Sequence, residues 1–233
     1  MARSNLLKDT VSGQVSLENI LLRLKVILSD LEDENILGWI EGELRGYGED
    51  DIVPDYRILN GRPMGTFVVN GAYQYSNSLV PLNFTTLDKD MIDKMLILNL
   101  SDGISVIEKN LKSENRDKIG RPIPTEICHS ISSLDLQIIG MSIMYSSNDF
   151  EAILSNVKDK IVDIIMMLEK KFGPDAIDDM DISDQMIEEP EKRKEAITYI
   201  NNLVYHDTST SVEMGDKNKL KNAKVGKFFR REK

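Results

Sequence analysis

The chain has 233 residues, 41% hydrophobic and 29% charged, the proportions of a folded globular domain. One cysteine, Cys128, excludes an internal disulfide and a cysteine-built zinc site, and only His129 and His206 are available to a histidine-rich metal centre, which excludes that too. Net charge is −10, which argues against nonspecific nucleic-acid binding by the whole surface, yet Asp216–Lys233 alone carries +6.

No apolar run approaches the roughly 20 residues of a membrane-spanning helix. Met1 to Ser12 lacks the apolar core of a signal peptide. A cytoplasmic location without membrane contact is expected.

Ser16 precedes Leu17, Ile20, Leu21, Leu24, Ile27, Leu28 and Leu31, spaced by threes and fours, which predicts a serine-capped helix with one buried face. A second helix is predicted from about Asp33 to Arg45, with Ile36, Leu37, Ile40 and Leu44 on its apolar side and Gly46 as terminator. The short turn between them predicts an antiparallel helical hairpin.

Tyr47 to Pro81 is punctuated by glycine and proline. Short strands fit Phe67–Val69 and Ala72–Tyr75, joined by Asn70-Gly71 as a hairpin turn. Thr85 and Asp88 read as a capping box opening a third helix, with Ile92, Leu96, Leu100, Ile107 and Leu111 on one face and Gly103 interrupting it. Lys118 to Pro124 reads as a loop and Thr125 to Leu134 as a short helix. Ile139, Met141, Ile143 and Tyr145 alternate as in a strand. Ser146 and Asp149 cap a long amphipathic helix whose stripe runs from Phe150 to Leu168, and Gly173-Pro174 stops it.

Asp175 to Glu191 holds eight acidic residues and no basic one, and reads as a solvated linker. A further helix fits 192–206. The expected fold is therefore α+β and mainly helical, with a helical hairpin at the N-terminus, a small β element in the middle and a long amphipathic helix near residues 150–172. The expected organisation is a domain over 1–174, the acidic linker over 175–191, the helix over 192–206 and a basic, flexible tail over 207–233.

Chemistry is sparse. The carboxylates Asp178, Asp179, Asp181 and Asp184 lack the glycine and closing glutamate of a calcium loop, so the solvated linker is the better reading. Adjacent Cys128 and His129 face different ways on a helix, and a lone cysteine ordinarily behaves as a small core residue. Phosphate loop, dinucleotide fingerprint and nucleophile elbow are all missing from the sequence, so no cofactor or metal is expected and the sequence leans away from an enzyme.

Two groups of residues remain as binding candidates. Trp39, Glu43 and Tyr47, with Asp55, Tyr56 and Arg57 shortly after, gather aromatic, acidic and basic groups near a helix end. They read either as a pocket or, more simply, as packing that fixes the loop crossing, with Glu43 paired to Arg57. In the tail, Lys217, Lys219, Lys221, Lys224, Lys227, Arg230 and Arg231 flank Phe228-Phe229. This pattern suits phosphate contact and base stacking, or else a solubilising end.

The first group carries a family resemblance. A capped helix at Ser16-Leu17, a helix with Trp39 and Glu43-Leu44, then Gly46-Tyr47 and Pro54-Asp55-Tyr56-Arg57, resembles the AbiTii pattern of abortive-infection proteins across roughly Ser4 to Gly173. Late in the chain, Gly215-Asp216-Lys217-Asn218 is similar to an element that precedes effector domains in related defence proteins, with lysine in place of the first asparagine of the pair. The resemblance implies a phage-defence role and assigns no catalytic residue. It leaves an interaction, sensing or regulatory module that binds a protein partner or itself. The alternatives are a toxic effector such as a metal-dependent nuclease using Glu43 and Asp55, and an oligomeric scaffold.

Overall fold

The structure is a computed structural model that describes residues 3–114, 116–183 and 189–205. Its centre is one long helix, α7 (Ser147–Phe172). Ser146 and Asp149 form the reciprocal capping box read from the sequence. Twenty-six residues make a rod of roughly 39 Å. Its face of Phe150, Ile153, Val157, Ile161, Ile164, Ile165, Leu168 and Phe172 is buried along the full length.

The N-terminal hairpin consists of α2 (Leu17–Ser29) and α3 (Glu34–Arg45), capped by Ser16 and Asp33. Ahead of it lies α1 (Asn5–Ser12), which packs on α7 and was not read from the sequence. Its buried stripe, Leu6, Leu7 and Thr10, is too short to stand out as a period.

The β element is larger than the sequence reading. Strands β1 (Ile58–Asn60), β2 (Arg62–Val69) and β3 (Tyr73–Leu79) follow the hairpin. Asn70 and Gly71, both at positive φ, make the turn between β2 and β3. Pro63 and Gly65, with Gly61 just ahead, mask the first half of β2 in the sequence.

The third helix is in fact two. Helix α4 (Lys89–Leu96) gives way at Leu96 to β4 (Ile97–Asn99), and Gly103 then caps α5 (Ile104–Lys112). Strands β1 and β4 are the same tripeptide, Ile-Leu-Asn, paired antiparallel with Leu59 opposite Leu98. That long-range pairing overrides the helical period. Asp88 alone caps α4, accepting from the Met91 amide, while Thr85 donates to the Leu82 carbonyl and closes the preceding 3-10 turn.

Strand β5 (Gly120–Ile123), helix α6 (Thr125–Ile131) and strand β6 (Leu136–Met144) complete a four-stranded antiparallel sheet of order β3-β2-β6-β5. A bulge changes the face of β6: Thr66 pairs with Gly140 and Phe67 with Ile138, so Ile139 is the extra residue. Leu136 and Ile138 therefore join Met141, Ile143 and Tyr145 on the core side, while Ile139 is 49% exposed.

Residues 175–183, read as part of a solvated linker, instead pack onto the domain. Helix α8 (Pro174–Asp178) lies on α7 and α1. Ile177 and Ile182 are buried, the Asp178 carboxylate accepts from the amide and side chain of Asn5, and the Ile182 amide donates to Asp30. Two isoleucines placed among the acids supply the burial that net charge obscured. The last described helix, α9 (Pro190–Tyr205), buries Ala196, Ile200, Leu203 and Val204 against α7 and α3. Asp184, His206 and the basic tail lie outside the described residues, and no described helix is long and apolar enough to cross a membrane.

Candidate functional site

Helix α3 presents Ile36, Trp39, Ile40 and Glu43 inward at helical spacing. Glu43 is thus a carboxylate on a core stripe, fully buried. A charge there is costly unless paired and hydrogen-bonded. It is both.

Its Oε1 accepts from the Tyr47 hydroxyl at 2.8 Å, the Tyr56 hydroxyl at 2.7 Å and Arg57 Nε at 3.0 Å. Its Oε2 accepts from Arg57 Nη2 at 2.6 Å. The guanidinium, also fully buried, donates from Nη1 to the carbonyls of Leu100 and Asp102 and lies 5.0 Å from the Tyr47 ring centroid. Trp39 donates from Nε1 to the Tyr56 hydroxyl at 2.9 Å. Lys160 of α7 sits 5.3 Å from the Tyr56 ring centroid and donates to the Leu203 carbonyl of α9.

Backbone geometry brings these groups together. Gly46 leaves α3 at φ +100°, and a Cβ there would meet the Ser101 carbonyl oxygen at 2.6 Å. The chain can therefore bridge to the 101–103 loop, where the Tyr47 amide donates to Ser101. Gly42 leaves room for the Tyr47 ring, whose nearest carbon would lie 2.4 Å from an added Cβ. Pro54 opens a 3-10 turn over Asp55–Arg57, which carries Tyr56 and Arg57 inward.

The electrostatics follow from burial. Desolvation, reinforced by the Glu43 charge, pushes both the Tyr47 and Tyr56 phenols far above their ordinary range, so both remain donors. Burial works against the Arg57 charge, but the Glu43 hydrogen bonds outweigh it and hold the guanidinium above its usual value.

Five of the six sequence candidates, Trp39, Glu43, Tyr47, Tyr56 and Arg57, thus meet in one network. Asp55 is exposed and takes no part through its side chain. The sequence reading missed Lys160 and the carbonyls of Leu100 and Asp102, which lie more than 40 residues from Arg57 and carry no local signal. Among the described residues, no group of three or more His, Cys, Asp or Glu is arranged to hold a metal ion.

The AbiTii family model matches residues 4–197. The chain belongs to the AbiTii family. The match takes in the whole clasp around Glu43, and it extends past Gly173 through α8 and into α9. No curated protein and no solved structure matches the chain. Membership in AbiTii points to a role in phage defence by abortive infection.

Proposed function

We propose that this AbiTii protein acts in abortive infection as a protein-binding, sensing or regulatory module, with its motif residues holding the domain together and catalysing nothing. The observation that carries this reading is the state of Glu43. Its carboxylate is fully buried, and both of its oxygens are engaged by neighbouring side chains. A nuclease carboxylate needs lone pairs free for a divalent metal or an attacking water. Asp55, the other acid of the motif, is exposed and apart from it.

Phage plating on cells that express the chain tests the proposal, with affinity capture of the tagged protein from infected cultures alongside. Asp55→Ala should protect as well as the unaltered chain, and a specific protein should co-purify during infection. Loss of protection by a stably folded Asp55→Ala protein would overturn the reading in favour of a toxic enzyme.

A further inference from the structure

The four-stranded sheet has one face on the core and one face open, and the open face holds a cleft of about 490 Å³, within the range of small-molecule sites. Its floor lies where β2, β6 and β3 depart from regular pairing. Both register shifts flank Thr66 and Phe67, and Asn77 sits in the cleft at φ +48°. Bulges and positive-φ residues that are not glycine gather at functional sites.

Gly140 lies in the cleft floor in mid-strand, where glycine weakens a sheet. Its φ is not positive, and a Cβ added there would meet nothing within 4 Å. A side chain would be sterically allowed there, so the glycine beside the bulged Ile139 leaves the cleft floor open. The side chains of Thr66, Asn77 and Ser142 converge on the same space and are not engaged by other described residues.

We propose that this cleft binds a purine nucleotide, independently of the clasp around Glu43. The thioethers of Met64 and Met144 lie on this face, and soft sulfur favours aromatic rings. Two hydroxyls and a carboxamide both donate and accept, matching the mixed edge of a base. The Asp117 carboxylate, which accepts from the Ser147 hydroxyl and lies 3.8 Å from Arg116 Nε, is 75% exposed and suits an exocyclic amino group. Arg62 stands across the strand from Met144, forms no ion pair among the described residues and suits a phosphate.

The test is titration of the full chain, labelled at its methionine methyl groups, with AMP, adenosine and inorganic phosphate. AMP should shift the resonances of Met64 and Met144 among the 11 methionines. Gly140→Val, which fills the cleft, and Thr66→Val, which removes one hydroxyl, should each weaken that response about tenfold or more without lowering thermal stability. Arg62→Ala should weaken AMP and leave adenosine unchanged. The proposal fails if no shift appears by on the order of 10 mM AMP, if both valine variants respond as the parent does, or if phosphate alone reproduces the shifts.

Discussion

Glu43 receives four hydrogen bonds in a space closed to solvent, and one of its donors, Arg57, carries the compensating charge. A network this complete is sensitive to the loss of any member, because the partners left behind are buried and unsatisfied. Glu43→Ala strands the Arg57 guanidinium and should cost about 3–5 kcal/mol, read as a lower urea midpoint with near-unchanged slope. Asp55→Ala, two residues from Arg57 and exposed, should stay within about 0.5 kcal/mol of the parent. Equal losses in both variants would contradict the clasp. Residue identity alone suggested a Glu43–Arg57 pair. It did not reveal that Tyr47, Tyr56 and two carbonyls from the 100–102 loop complete the pairing, because those partners are supplied by chain crossings.

At the scale of elements, helix caps were the most legible features. Ser16 caps α2, and Ser146 with Asp149 opens α7, both as the sequence reads, because each interaction lies within one turn. The end of α3 is different. Gly46 reads as an ordinary terminator, yet its positive φ and the nearby Ser101 carbonyl make it the point where α3 is joined to the loop before α5. Gly46→Ala should therefore destabilise by more than the roughly 1 kcal/mol of a simple left-handed terminator, since the bridge to Asp102 must also open. Thermal denaturation checks this, and a shift no larger than that of an exposed glycine elsewhere would refute it. The sequence reading failed where pairing across the chain competed with local period. Ile97–Asn99 left a helix to join β1, and the bulge at Ile139 reversed a face that strict alternation assigned the other way.

Across the whole molecule, the N-terminal end of the described chain is fastened to α7 and α8, more than 160 residues away in sequence. Glu169 of α7 accepts from the Arg3 guanidinium and the Ser4 amide, while Asp178 of α8 accepts from Asn5. Burial raises the Glu169 pKa, but its hydrogen bonds to Arg3 and Ser4 more than offset this, so the folded value lies below the ordinary glutamate range. A depressed carboxylate contributes stability that is present above its unfolded value, roughly 4.3, and lost as pH falls through the folded one. The exchange protection factors of the α1 amides should fall on acidification below that range, and Glu169→Gln should flatten the dependence. An unchanged pH profile in the variant would show that other groups govern the end of the fold.

The sequence by itself determined what short-range physics controls: the capped helices, the hairpin of α2 and α3, the Asn70-Gly71 turn, the long apolar face of α7 and the motif by which the family is recognised. Each depends on residues within a turn or two of one another, so period and cap chemistry are enough to read them. Tertiary structure alone decided that the AbiTii motif closes into a buried clasp, that an acidic segment packs onto α1 and α7 through Ile177 and Ile182, and that one sheet face carries a cleft. Those outcomes depend on which distant groups share a desolvated space, where the free energy of a charge or a strand edge is set by neighbours that local sequence does not name.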